Sequence, residues 1–150
     1  MTDLLLASDH RGVGLKEFIV NHLIPIDKDI TADITTLHDC GCYDDSKKID
    51  YPDIVRNFAG DFKTYNRGIL VCGSGYGVSI MANRFVDIRA VVCRSVKEVQ
   101  MARKHNDANV LCLGSDFTKK DLALKIVEAF LGTKFEGGRH KTRVEKLWQV

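Results

Sequence analysis

Residues 3–8, 68–72, 89–93 and 110–113 are short runs of almost continuous apolar character, without the alternation of a half-exposed strand. Such runs fit strands buried on both faces, as in a parallel sheet covered by helices. Residues 34–38 give a weaker strand pattern, rich in β-branched Ile34, Thr35 and Thr36.

Between the runs, apolar residues recur at helical spacing. Leu15, Phe18, Ile19 and Leu23 predict a helix over 13–23, ended by Pro25. Tyr51, Pro52 and Asp53 open a second helix, with Pro52 near its first position. Ile54, Val55, Phe58, Ala59 and Phe62 form its apolar stripe. A third pattern begins at Val78, and Ser95 is a suitable N-cap for a fourth helix running to Lys104. Leu122, Ile126, Val127, Phe130 and Leu131 mark a fifth, stopped by Gly132. Val144, Leu147 and Trp148 mark a short one in the basic tail.

Strands alternating with helices imply one three-layer α/β domain over residues 1–150. The expected architecture is Rossmann-like: five parallel strands, helices on both faces and a C-terminal helical tail. The expected strand order is 2-1-3-4-5, the flavodoxin-like variant. In such sheets ligands bind at the carboxyl ends of strands where the order reverses, here between the first and third. The loop of Asp9, His10, Arg11 and Gly12 meets the loop from Cys72 to Gly77 there. The polar stretch beginning at His105, expected to be a loop, leads into the fifth strand instead. It would have to reach the site from elsewhere, for example across a dimer interface.

A net charge of +2 argues against nucleic acid or an acidic membrane as partner. No stretch is long enough to span a membrane. The first residues carry an acid, Asp3, where a signal peptide needs positive charge. The expected location is therefore the cytoplasm. The five cysteines are an odd number, which fits reduced thiols. Cys93 and Cys112 sit inside apolar runs and read as buried core thiols. Cys40 and Cys42 lack the spacing of a redox pair and a second pair to complete a zinc site.

Cys72 differs because it meets a glycine loop. Gly73, Gly75 and Gly77 alternate with Ser74 and Tyr76, and a helix pattern follows. Glycine lets amide N–H groups approach a ligand closely, and a helix start adds unpaired donors. The spacing is one residue short of a dinucleotide fingerprint, and the next strand ends in Cys93 and Arg94 without an acid. Val78 stands where a Walker loop needs lysine, and where a cysteine phosphatase needs arginine. A thiol beside an anion hole suits nucleophilic attack on a carbonyl or proton abstraction next to one. A turn that only packs strand on helix is the bland alternative. His10 and His105, both expected in loops, are candidates for moving protons on hydroxyl groups. Arg139 and Arg143, four apart, share a helical face and form a fork suited to phosphate. Together these parts point to a small phosphorylated substrate with an acidic C–H beside a carbonyl.

These segments resemble a known family. Residues 7–12, 50–53, 68–83, 105–110 and 136–140 are similar, in order, to ribose-5-phosphate isomerase type B. The wider group includes galactose-6-phosphate isomerase subunits and allose-6-phosphate isomerase. The resemblance implies interconversion of ribose 5-phosphate and ribulose 5-phosphate in the pentose phosphate pathway. It also implies no metal or cofactor, and a homodimer, sometimes a tetramer, with sites at the subunit interface. By position, Cys72 is then the base that moves the proton between C2 and C1. The backbone of Gly73, Gly75 and Gly77, with Ser74, would hold the enediolate oxygens. His105, with Asp9, would assist ring opening. Tyr51 and Asn106 would bind sugar hydroxyls, and His10, Arg139 and Arg143 the phosphate, the arginines from the partner subunit. Three positions depart from the family pattern. Ser74 stands where threonine is common, Tyr76 where a small or aliphatic residue is usual, and Asp116 where many members carry arginine. The alternatives are isomerisation of a six-carbon sugar phosphate, such as allose or galactose 6-phosphate, and a non-catalytic nucleotide- or phosphate-binding module.

Overall fold

The computed structural model describes residues 1–23 and 34–147. Pro25 and Trp148, invoked above as a helix stop and a tail residue, lie outside the described residues. Five strands form one sheet: β1 (Thr2–Ser8), β2 (Ile34–Asp39), β3 (Arg67–Cys72), β4 (Ala90–Val92) and β5 (Val110–Gly114). All the pairings are parallel. The helices are α1 (Val13–Leu23), α2 (Tyr51–Asp61), α3 (Tyr76–Ala82), α4 (Val96–Asn106), α5 (Lys120–Gly132) and α6 (Arg139–Lys146). A single 3-10 turn, Phe62–Thr64, follows α2.

Side chains on a strand point alternately to opposite faces, and the two faces build two cores. Leu5, Ala7, Leu70, Cys72, Val110 and Cys112 meet Val55, Phe58 and Val78 of α2 and α3. Leu4, Leu6, Ile69, Val71, Leu111 and Leu113 meet Ile19, Val99, Ile126 and Phe130 of α1, α4 and α5. The three-layer α/β fold with a five-stranded parallel sheet is therefore as the sequence leads one to expect.

The strand order is not. It runs β2-β1-β3-β5-β4, so β5 and not β4 lies beside β3. β5 is buried along its whole length, whereas β4 has three residues, two of them half-buried. Short strands are the ones that tolerate an edge. The register sets Cys72 opposite Gly114 and Ser8 opposite Val71. The loops after β1, β3 and β5 consequently sit side by side at one end of the sheet.

One buried ion pair ties the first layer to the sheet edge. Lys16 of α1 is fully buried, and its Nζ lies 2.5 and 2.6 Å from the two carboxylate oxygens of Asp39. Ser95 caps α4 as expected. Its hydroxyl accepts the Glu98 amide at 3.2 Å, and Glu98 returns a carboxylate to the Ser95 amide at 3.1 Å. Ser95→Ala is expected to cost about 1 kcal/mol. Thermal unfolding would read this as a fall in Tm of roughly 2–4 °C.

Candidate active site

The carboxyl ends of β1 and β3 carry one group of candidates. Cys72 is the last residue of β3 and is buried. Its Sγ lies 3.1 Å from the Gly75 amide, which donates to it. The sulfur is thus a hydrogen-bond acceptor. Cys40 and Cys42 behave oppositely, their thiols donating to the carbonyls of Leu6 (3.3 Å) and Asp44 (3.2 Å). Burial, helped by Asp61 and Asp39, pushes the Cys40 thiol up to about 11. Burial likewise raises Cys93 to about 12, with Glu98 adding to it, and raises Cys112 further. These three stay protonated at neutral pH. Cys93 and Cys112 are buried core thiols, as read from their apolar runs.

The glycines around Cys72 have separate structural reasons. Gly75 adopts φ +82°, a left-handed conformation that starts α3 at Tyr76, two residues before the expected Val78. Gly77 thus lies inside the helix, where a Cβ would meet the Tyr51 ring at 2.9 Å. This contact brings Tyr51, the first residue of α2, to the loop. Ser74 Oγ accepts the Tyr76 amide at 3.3 Å. A Cβ on Gly73 would strike the Arg11 guanidinium at 2.6 Å.

Arg11 crosses that loop to form an ion pair with Asp116 in the loop after β5. The acid at position 116 is thereby matched by a guanidinium lying over Gly73. Asp9 is buried, and its Oδ1 accepts the amides of Arg11 (2.9 Å) and Gly12 (3.1 Å), fixing the turn after β1. His10 Nδ1 lies 3.3 Å from the Ile49 amide. The clasp between Arg11 and Asp116 has no local sequence signal, because the partners are 105 residues apart. It follows from β5 lying close to β1 across β3.

The second group lies at the other end of the sheet. His105 and Asn106 are the last residues of α4, not part of a loop as expected from the sequence. Asp107 ends the helix in a left-handed conformation, φ 46°. Its carboxylate is held by Arg103 at 2.8 Å and Arg89 at 2.9 Å. Arg103 is itself buried and also donates to the carbonyls of Ala108 (2.6 Å) and Thr133 (3.1 Å). This tertiary cluster extends the helix through His105. α6 lies against α4 and carries Arg139 and Arg143 one turn apart, as their spacing predicts.

His105, Asn106, His140, Arg143, Val144 and Leu147 line a cavity of about 300 Å³. The rings of His105 and His140 stack with centroids 4.4 Å apart. Burial, with the charges of His105 and Arg139, lowers the His140 pKa and so favours its neutral imidazole. His140 lines the cavity beside His105, and sequence reasoning passed it over. The available signal was its place, four residues before Val144, on the buried face of α6. The fork residue Arg139 is exposed at the helix start.

One chain does not bring the two groups together. β5 alone, five residues from Val110 to Gly114, separates its His105 end from its Cys72 end by about 13 Å. Cys72, Ser74, Asp9, His10, Tyr51 and the loop glycines cluster at one edge. His105, Asn106, Arg143 and His140 cluster at the other.

Residues 4–147 match the ribose/galactose isomerase family. The chain is 40% identical over 155 aligned residues to ribose-5-phosphate isomerase B of Escherichia coli, covering 100% of this chain and 97% of that protein. Its fold matches a ribose 5-phosphate isomerase from Thermotoga maritima with TM-score 0.90 at 37% identity, over 99% of both chains. It matches ribose-5-phosphate isomerase B from Mycoplasma genitalium, solved with bound ribulose 5-phosphate, with TM-score 0.86 at 37% identity. That match covers 98% of this chain and 94% of the other. With the glycine loop, the thiol acceptor and the cavity between α4 and α6 in place, this chain belongs to the ribose/galactose isomerase family of sugar-phosphate isomerases.

Proposed function

We propose that the protein interconverts D-ribose 5-phosphate and D-ribulose 5-phosphate through a cis-enediolate, with Cys72 as the base. The observation that carries this is the Cys72 sulfur accepting the Gly75 amide within a glycine loop. The thiolate takes the proton from C2 of the open-chain aldose and returns it to C1 as the thiol. The hydroxyl proton of O2 is lost as O1 gains one, so the sugar is isomerised with no net change. Negative charge develops on O1 and O2, and backbone N–H groups of Gly73 to Gly77 with the Ser74 hydroxyl stabilise it. Tyr51 of the same copy and Asn106 of a second copy bind sugar hydroxyls.

The remaining roles require two copies of the chain. His105 of a second copy, with Asp9, opens the furanose ring. His10 of the first copy and Arg139 and Arg143 of the second grip the phosphate. The placement of the two groups at opposite ends of β5, a strand roughly 13 Å long, supports this arrangement. So does the surface next to the His105 cavity. A larger groove of about 540 Å³ shares Asn106 and Leu147 with it and includes Phe85, Val86 and Ile88. Val86 is 70% exposed and nearby Ile80 69%, an apolar surface of the kind that subunit contacts cover.

The deciding assay offers the purified protein ribose 5-phosphate and allose 6-phosphate, each with and without chelator. Preference for the five-carbon substrate, unaffected by chelator, is expected. Faster turnover of the six-carbon substrate would move the assignment to that sugar, and loss of activity with chelator would contradict metal-free proton transfer. Arg139→Ala is expected to raise KM for the sugar phosphate by about tenfold or more, the loss of a charge-assisted bond of about 1.5–3 kcal/mol. Turnover should change less. Steady-state kinetics showing the reverse would remove Arg139 from phosphate binding.

A further inference from the structure

Three ligand-type side chains from separate segments converge beside the α4–α6 cavity. They are His105 at the end of α4, Glu136 in the connection between α5 and α6, and His140 in the first turn of α6. One donor atom from each lies within 4.8 Å of the other two. His140 Nε2 is 3.8 Å from Glu136 Oε2. A tetrahedral ion with bonds of about 2.1 Å holds its donors about 3.4 Å apart. Closing the site needs a rotation of Glu136, whose side chain is half exposed, toward the buried His140, and a turn of the half-buried His105 ring out of its stack so that both lone pairs meet at one ion. The backbone already holds the segments in place, since the Glu136 amide donates to the Lys104 carbonyl at 3.1 Å.

Two imidazoles and one carboxylate form a donor set suited to Zn²⁺ and its first-row neighbours, with a fourth position left open. Oxygen-seeking Mg²⁺ and Ca²⁺ prefer other sets. We propose that His105, Glu136 and His140 form an inhibitory site for Zn²⁺. Arg143 lines the adjoining cavity and Arg139 precedes His140, and their positive charge weakens cation binding while favouring an anion in the fourth position. The inhibition rests on the proposed role of His105: a metal that takes its ring nitrogen lone pair removes the group that moves the ring-opening proton. The binding itself does not depend on that role.

The test compares wild-type protein with Glu136→Gln. Glu136 has no role in the isomerisation proposed above, and its half-exposed side chain should let the substitution leave the fold and the metal-free activity unchanged. Both proteins are titrated with Zn²⁺ by calorimetry and by activity, and with Co²⁺ by visible absorption. Wild type should bind one Zn²⁺ per chain, lose activity in step, and recover it with chelator. Glu136→Gln should keep metal-free activity but need about tenfold more Zn²⁺ for half-inhibition, as expected when one ligand is weakened. The Co²⁺ spectrum should lack the intense near-ultraviolet band of a thiolate ligand. Equal zinc sensitivity in the two proteins, or a thiolate band pointing to Cys72 or Cys40, would overturn the proposal. If the isomerase reading itself failed, neither protein would be active without metal, and calorimetry and the Co²⁺ spectrum would still decide the site.

Discussion

Cys72→Ser is expected to lower isomerase turnover by about 100- to 10,000-fold, the usual range for loss of a general base. The serine hydroxyl is too weakly acidic to form an alkoxide near neutral pH, yet it keeps an acceptor for the Gly75 amide, now 3.1 Å from sulfur. The fold should therefore survive, with a change in unfolding free energy of no more than about 1–2 kcal/mol. Cys72→Ala tests the same role but also leaves the Gly75 amide without its partner, so the serine variant is the cleaner comparison. A second readout separates chemistry from binding. In deuterated water the wild-type protein should exchange the C2 proton of ribose 5-phosphate, seen as loss of its NMR signal. Cys72→Ser should leave that signal intact at substrate saturation. Exchange at the wild-type rate would show that another group is the base.

The second large effect concerns the proposed division of the site between copies. Cys72→Ala and His105→Ala should each be nearly inactive alone. Co-expressed, they should recover activity. In a mixed dimer, one site combines the intact Cys72 of one copy with the intact His105 of the other, while the second site lacks both. Random pairing would put up to about a quarter of all sites in working order. Sedimentation of the mixture should show the same dimer as the wild type. A site built within one chain predicts no recovery at all, and so does a monomer.

Much of this fold was legible because its strands are buried on both faces. The apolar runs locate β1, β3 and β5, and the stripe of Leu15, Phe18, Ile19 and Leu23 gives α1 its observed bounds, Val13–Leu23. Ser95 announces its own helix by a side chain that bonds three residues on. The order of β4 and β5 was not legible, because both are short and apolar and the contest for the central position depends on burial along the whole sheet. The helical state of His105 and Asn106 was hidden for a related reason. His105-Asn106-Asp107-Ala108-Asn109 reads locally as a polar loop, but Arg89 and Arg103 hold Asp107 from elsewhere in the chain. In the site, Cys72 and the glycine loop were visible because their chemistry is contiguous in sequence. His140 was not, since its importance comes from the ring it stacks against.

The lacing of the loops around Cys72 bears on how this proposed base would be presented to a substrate. The Asp9 amide donates to the Val71 carbonyl at 3.1 Å, and the amides of Ser115 and Asp116 donate to the carbonyls of Cys72 (2.9 Å) and Gly73 (3.0 Å). Ser115 Oγ sits 3.0 Å from the Arg11 carbonyl and 3.2 Å from that of Cys72. The thiol thus stands on the central part of the sheet, among amides that open to solvent only when the sheet itself comes apart. Hydrogen exchange at Val71 and Cys72 should be as slow as global unfolding. With Cys72 as the proposed base, substrate alignment at this end of the sheet would require no rearrangement of the thiol, and the ordering cost on binding would fall on the sugar phosphate and on the surfaces that meet it.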